Sequence, residues 1–435
     1  MRFSIKNRVL DFLVITLNIC HNMSMISVWV LTPIGLSSSP SLFIVTFLLF
    51  FFRFGAKVKF PPNSSNGIIF LFSTIYVFDI IQAILYERTI GVILDRFILL
   101  FDMLLFILYV YNIFVESKSS NNRIGAITWS YEVYSIYNII TVILCATLIF
   151  LGVISESSNV LPVNRITIQK ENIGEIVTFP GYLSLCLSNI LRGLSSFNIP
   201  VLTGLSQEPH ILCYLLGPAF FILLYRLRDN GREMILLYVF YVIVLVVSTS
   251  VTGITLFFII LLFEIFYSIK TNNNRKRNVI VLSAVLIAVT VFFVNNRDVT
   301  DSITELFLYK FDSESSSTSL NTSQSMLQYM LSPVDVLGMG NIPSAWGENS
   351  LNDNVGMMTS FLDVIFLAYL FVQAIKNVFS KNIMVHYVGL SCLYAFLHSL
   401  KLGVQMFSFP YLSFFVALTI INNQLCKSRD LKIIQ

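Results

Sequence analysis

Long apolar runs, separated by short polar or basic segments, recur along the whole chain. Residues 42–52, 279–294 and 357–375 are runs of this kind, and they are too long and too numerous for the core of one soluble domain. Such runs predict helices that cross a membrane. The twelve spans that we place, each bounded to within several residues, are 9–31, 41–54, 67–86, 90–114, 136–154, 210–225, 234–249, 251–269, 278–294, 356–375, 383–399 and 405–422.

The expected fold is therefore all-α: a single polytopic membrane domain over residues 1–435 with about twelve transmembrane helices. Composition agrees, since 56% of the residues are hydrophobic and only 12% are charged, against about a quarter charged in a soluble domain. The six cysteines show neither CxxC nor Cys/His metal spacing, so we expect no metal, no cofactor and no disulfide.

The basic residues predict the orientation of the spans. With both termini in the cytoplasm, 20 of the 28 Lys and Arg residues fall on cytoplasmic segments, as the positive-inside rule requires. They form short clusters beside apolar runs and do not line a face that could follow nucleic acid, so nucleic acid is not an expected partner. The lipid bilayer is the expected surrounding.

Two long hydrophilic loops face outward in this arrangement, residues 155–209 and 295–355. Loops of such length in a compact protein are usually functional or disordered. We therefore expect the protein to act at the outer face of its membrane.

The first external loop carries Arg192 and ends in Gly204-Leu-Ser-Gln-Glu208-Pro209-His210, immediately before a span. Glu208 would lie at the membrane mouth, where a carboxylate could accept a proton. A structural explanation is equally open, because an acidic residue is stabilised at the positive end of a helix and proline is tolerated in the first helical turn.

Two further polar segments lie beside predicted spans. Residues 248–253, Ser-Thr-Ser-Val-Thr-Gly, form a small hydroxyl-rich turn, although small residues also simply allow membrane helices to pack closely. The second external loop ends in Gly338-Met-Gly340 and an Asn-containing stretch that reaches Gly356.

In their order and sidedness, these segments resemble the O-antigen polymerase and ligase proteins, the Wzy-like superfamily. Members of that family carry an Arg and a G-x-x-x-E-P stretch ahead of a span, a Ser/Thr-rich turn, and a GxG followed by an Asn-containing segment. The chain departs from the family where Val201 and Val251 stand at positions that often hold Arg, and residues 313–325 contain no cation.

The resemblance implies a GT-C-like, metal-independent glycosyltransferase in the bacterial inner membrane. Its reaction would move a glycan from undecaprenyl pyrophosphate onto a lipid-linked repeat unit at the periplasmic face, with a chain-length regulator protein as partner. Arg192 is the first candidate to stabilise the pyrophosphate leaving group, and Glu208 is the candidate base. The further candidates for substrate binding are Arg165, His210, Arg297, Lys310 and Asp353.

Ionisable residues inside predicted spans need an explanation, because intramembrane charges are costly. These residues are Asp79, Asp95, Arg96, Asp102, Glu264 and Asp363. In the first half of the chain, Asp79 and Asp102 indicate an interior polar site best. The alternative is a structural contact with Arg96 or with a backbone group.

Three other functions remain open. O-antigen ligases share the architecture but typically carry a functional His in the second external loop, and residues 295–355 contain none. A lipid-linked oligosaccharide flippase would show internal repeats, which we do not find. Glycosyltransferases that use polyprenyl-phosphate sugars usually have acidic pairs in the first external loop, whereas residues 32–40 hold no acid.

Overall fold

The three-dimensional description comes from a computed structural model of the chain. It describes residues 5–21, 39–85, 90–117, 123–153, 176–178, 185–187, 201–206, 209–229, 235–248, 250–271, 361–402 and 410–433.

α-Helices make up most of the described residues. They are α1 (Ile5–Cys20), α2 (Ser39–Phe54), α3 (Asn66–Leu85), α4 (Ile90–Glu116), α5 (Arg123–Phe150), α6 (Pro209–Asp229), α7 (Ile235–Ser248), α8 (Val251–Thr271), α9 (Phe361–Val378), α10 (Ile383–Leu402) and α11 (Pro410–Ile433). Eleven of the predicted spans overlap these helices, in part or in full, and the ninth, 278–294, lies outside the described residues. The predominantly helical character is confirmed, and the count of twelve spans stays a prediction.

Length and composition mark several helices as suited to a membrane. Among the described helices, Ile93–Glu116, Ile124–Phe150 and Pro209–Arg228 are each long and apolar enough to cross one, and six shorter helices are also apolar. Large apolar side chains remain exposed on them, for example Phe52 at 75% and Phe266 at 67%. An apolar exterior of this kind is typical of a protein that contacts lipid.

Helix α5 begins at Arg123, well before the predicted boundary at residue 136. The early part of the helix contains Thr128, Ser130 and Glu132, which break the apolar run in the sequence. All three are buried in the folded chain, and the Thr128 hydroxyl donates to the Ile124 carbonyl at 3.0 Å. These polar residues therefore face the protein interior. Hydropathy alone would place them outside the helix, in a solvent-exposed loop.

The described residues belong to two compact units, Met1–Tyr131 with Thr318–Gln435, and Glu132–Ser317. The assignment of residues 1–435 to a single domain stays a prediction. In the first unit, α4 packs against α2, α3 and α11, and α9 and α10 form a close pair. Helix α1 runs antiparallel to α2, since Asp11 contacts Arg53 while Asn18 contacts Thr46.

An ionic cluster with Arg53 and Asp11 buried and Glu116 partly exposed ties together α1, α2 and α4. Arg53 donates from Nε to Asp11 at 2.9 Å and from Nη2 to Glu116 at 2.7 Å, and the Tyr109 hydroxyl donates to Asp11 at 2.9 Å. The Arg53 side chain is 1% exposed, so its charge depends on these two carboxylates. The cluster fixes the register of the three helices at one end.

The second unit contains the rest of α5, helices α6 to α8 and a small sheet. Three strands, β1 (Ile176–Thr178), β2 (Leu185–Leu187) and β3 (Val201–Gly204), form an antiparallel sheet in that order. Ile176 pairs with Leu187, and Leu187 pairs with Val201. The sequence predicted no strand here, so this sheet is an addition to the all-α expectation.

Candidate functional site

Helix α5 presents a row of buried polar side chains within the second unit. Glu132, Ser135, Asn138 and Thr141 recur at every third position, and each is at most 5% exposed. The Asn138 amide nitrogen donates to the Tyr134 carbonyl at 2.9 Å, which orients the amide oxygen away from the helix's own backbone. Asn138 is thereby prepared to accept a hydrogen bond from another segment.

That segment is β3 and the turn that follows it. The Leu205 backbone N–H donates to the Asn138 side-chain oxygen at 3.0 Å, and Ser206 N–H donates to the Thr203 carbonyl at 3.0 Å. Every residue of 201–206 is buried. The end of the first predicted external loop is therefore enclosed by protein at the middle of α5, where a solvated loop was expected.

Gly204 makes this close approach possible. Its φ is +58°, in the left-handed region that glycine adopts without strain. A Cβ at this position would lie 2.7 Å from the Asn138 oxygen and 3.2 Å from Leu212. The glycine of the G-x-x-x-E-P stretch thus has a definite structural role, because it lets the chain pass between α5 and α6.

Helix α6 starts directly after this turn, with Pro209 as its first residue. Proline suits that position because its φ is already helical and the first backbone N–H groups of a helix have no partner inside it. His210 is half-buried in the same turn. The N-terminus of α6, with its partial positive charge, therefore lies beside the buried turn.

The hydroxyl-rich turn between α7 and α8 packs against the same end of α6. The Cys213 thiol and the Ser248 hydroxyl share a hydrogen bond of 3.4 Å. Ser250 caps α8 by accepting the Gly253 N–H at 3.3 Å. A Cβ on Gly253 would lie 2.5 Å from both Cβ and Sγ of Cys213, so this glycine sets how closely α8 approaches α6.

The described residues of two segments that the sequence singled out, 204–209 and 248–253, therefore both contact the first turns of α6. The Ser206 hydroxyl, buried in the first of them, has no hydrogen-bond partner in the described part of the chain. We call this region the α6 N-terminal site and define it by Asn138, residues 204–206, His210, Cys213, Ser248 and residues 250–253.

The opposite end of α6 is held by two ion pairs. Arg226 binds Glu132 of α5 at 2.6 Å, and Arg228 binds Glu264 of α8 at 2.7 Å. The Glu132 and Glu264 side chains are only 6% and 4% exposed. This explains Glu264, one of the ionisable residues inside the predicted spans, as a structural partner of Arg228.

Of the predicted site residues, His210 is the one that the described residues include, and it lies in the α6 N-terminal site. Arg192 and Glu208 fall outside the described ranges, and so do Arg165, Arg297, Lys310 and Asp353. The Gly338–Gly356 segment lies outside them as well. Their predicted roles stay predictions. Within the described ranges, no group of three or more His, Cys, Asp or Glu side chains could hold a metal ion.

Asn138 is one residue of this site that the sequence did not indicate. It stands inside a predicted span, and its partner Leu205 is 67 positions away. The sequence carried one weak signal for it. Polar residues recur at every third position at Glu132, Ser135 and Asn138, and such a polar helix face requires a partner inside the protein.

Comparison of the chain with family models, with curated proteins and with solved structures gives no match.

Proposed function

We propose that the protein is a surface-polysaccharide polymerase of the O-antigen type, located in the bacterial inner membrane. It transfers a glycan from undecaprenyl pyrophosphate onto another lipid-linked repeat unit at the periplasmic face. The observation that carries the proposal is that Gly204 of the first segment, and Ser248 and Gly253 of the second, all contact the first turns of α6. These are two of the segments on which the family resemblance rests.

The environment of this site suits a reaction with a pyrophosphate leaving group. Non-helical backbone at the depth of a membrane helix is tolerated where protein or a water-filled cavity surrounds it. Here the segment 201–206 is buried and anchored to Asn138. A helix N-terminus and its free N–H groups stabilise anions, and the stabilisation is stronger where water is excluded.

In this proposal, Arg192 neutralises the charge that develops on the pyrophosphate as the glycosidic bond to it breaks. Glu208 accepts the proton of the attacking sugar hydroxyl. The reaction conserves the phosphate anhydride, and the products are the extended lipid-linked glycan and free undecaprenyl pyrophosphate. No metal is required, because fixed cations supply the charge.

The test is a gene deletion in the host, complemented at matched membrane levels with the wild-type, Arg192→Ala or Glu208→Gln protein. Lipopolysaccharide is then separated on a silver-stained gel. A polymerase deletion leaves lipid A core with a single repeat unit, and neither variant restores the ladder. Lys57→Ala is the control, because Lys57 is exposed on the α2–α3 connection and lies on the cytoplasmic side in the proposed orientation.

Other outcomes would refute the proposal. Accumulation of polymerised lipid-linked glycan with no repeat units on lipid A core would identify a ligase. Loss of both products would place the protein at the flippase or at an earlier step. A full ladder with Arg192→Ala would remove Arg192 from the site, whatever the protein's function.

A further inference from the structure

Asp102 lies near the midpoint of α4, within the portion that is long and apolar enough to cross a membrane. Its side chain is completely buried, and neither carboxyl oxygen has a hydrogen-bond partner among the described residues. The Thr46 hydroxyl of α2 faces it without forming a well-aligned hydrogen bond. Arg96, the partner considered from sequence, does not bind it.

Thr46 belongs to a buried polar cluster that extends along α1. The Asn18 amide nitrogen donates to the Thr46 hydroxyl at 3.1 Å and to the Val14 carbonyl at 3.0 Å, while the Asn18 oxygen has no described partner. His21 lies immediately after α1, is fully buried, and has no described hydrogen-bond partner at either ring nitrogen. We call Asn18, His21, Thr46 and Asp102 the α1–α2–α4 polar cluster.

No described cation neutralises Asp102. Arg53 is the described charged residue of α2, but it lies seven positions from Thr46, about 10 Å along the helix, and is bound to Asp11 and Glu116. Two described titratable side chains on the other helices packed against α4 are engaged elsewhere: Tyr76 of α3 donates to Met103, and Tyr411 of α11 bonds Tyr131. The Asp79 side chain lies outside the described residues.

An ionised carboxylate in these surroundings would be strongly destabilised, because it is removed from water and has neither a described counter-ion nor a well-aligned donor. A metal cation could neutralise it, but hard cations take about six or more oxygen ligands. The cluster offers three groups with oxygen: the Asp102 carboxyl, the Thr46 hydroxyl and the Asn18 amide. A proton requires no further ligand.

We propose that Asp102 is a proton-binding site within the membrane-spanning part of the first unit. The carboxyl group is neutral at rest, and the α1–α2–α4 polar cluster gives the proton an adjacent chain of polar atoms with unused hydrogen-bonding capacity. His21, three positions beyond Asn18, is a second buried titratable group. The proposal is independent of the polymerase assignment, since it invokes none of the residues in the α6 N-terminal site.

The first test is chemical labelling of the full chain in liposomes with dicyclohexylcarbodiimide, an apolar reagent that modifies protonated carboxyl groups. Peptide mass spectrometry should find the adduct at Asp102 near neutral pH and none in Asp102→Asn. Glu116, on the same helix but paired with Arg53 and 43% exposed, is the internal control and should remain unlabelled. Above its midpoint, the labelled fraction should fall about tenfold per pH unit.

Infrared spectroscopy provides a second measurement that does not depend on reagent access. The wild-type minus Asp102→Asn difference spectrum should contain the carbonyl stretch of a protonated carboxyl group, and that band should disappear at high pH. Its absence at neutral pH would show an ionised Asp102 and overturn the proposal. Labelling and band intensity that fall when sodium replaces choline would identify a metal-cation site and would overturn it equally.

Discussion

At the scale of single residues, the space beside the Gly204 Cα is already filled by the Asn138 amide oxygen and by Leu212. We predict that Gly204→Ala lowers the free energy of unfolding by about 2 kcal/mol or more, because a left-handed backbone costs about 1–2 kcal/mol in a non-glycine residue and the contact adds to it. Thermal unfolding of the detergent-solubilised protein measures the loss.

Gly91→Ala is the matched control for that prediction. Gly91 lies in the first turn of α4, and a Cβ there would meet nothing within 4 Å. The change should be neutral or slightly stabilising, since alanine favours a helix by about 1 kcal/mol over glycine. Equal destabilisation by both substitutions would refute the role assigned to Gly204.

Asn138 gives a second prediction at this scale. Asn138→Leu removes the acceptor of the buried Leu205 N–H, and an unpaired buried donor costs about 1–3 kcal/mol. Limited proteolysis should cut between β3 and α6 faster in this variant. Thr147→Leu is the control, because the Thr147 hydroxyl bonds within α5 at an exposed position; an identical rise in proteolysis there would argue against a specific anchor.

Sequence reasoning found the glycine of this pair and missed the asparagine. Gly204 belongs to a short stretch of turn-forming residues ahead of a predicted span, and such stretches are visible without a structure. Asn138 lies in an apolar run. Its hydrogen bond with the Leu205 N–H joins two elements that are far apart in the chain. Periodicity can indicate that a polar face is buried, but it cannot name the partner.

At the scale of elements, α6 is fixed at both ends, by the motif segments at its start and by ion pairs at its end. We predict that Arg228→Met lowers the free energy of unfolding by about 3–5 kcal/mol, because Glu264 would remain buried without its counter-charge. Combining it with Glu264→Leu should restore most of the loss. Folded yield by size-exclusion chromatography measures both, and additive losses would contradict the pairing.

The contact between α6 and α8 gives a further prediction. Gly253→Ala places a methyl group 2.5 Å from Cβ and Sγ of Cys213, and overpacking of this kind costs about 1–3 kcal/mol. Adding Cys213→Gly should recover part of the loss in a thermal-unfolding measurement, limited by the cost of glycine in a helix, about 1 kcal/mol. Gly67→Ala, with nothing within 4 Å, is the control.

The positions of helices were predicted well where an apolar run was uninterrupted. They were predicted poorly where the helix buries polar residues. The bounds of α2, α3 and α7 lie within two residues of the predicted spans. The start of α5 was missed because buried Thr128, Ser130 and Glu132 resemble a loop by hydropathy. The strands were missed because each has only three or four residues, too few for an alternating pattern to be recognised.

At the scale of the whole molecule, the orientation in the membrane is the prediction that most needs a measurement. A fluorescent-protein fusion after residue 435 should fluoresce, because that end is expected in the cytoplasm. An alkaline-phosphatase fusion within residues 295–355 should be active, since the enzyme folds only outside the cytoplasm. The reverse pair of signals would invert the orientation and place the α6 N-terminal site at the cytoplasmic face.

Helix α7 has a consequence for the bilayer itself. It has 14 residues, from Ile235 to Ser248, and therefore extends about 21 Å, against a hydrocarbon core of about 30 Å. A transmembrane helix as short as this is accommodated by local thinning of the bilayer, by snorkelling of flanking side chains or by oligomerisation. With local thinning, and in the proposed orientation, the outer-leaflet headgroups sit lower next to Ser248, so a lipid-borne pyrophosphate could reach the buried turn without leaving its leaflet.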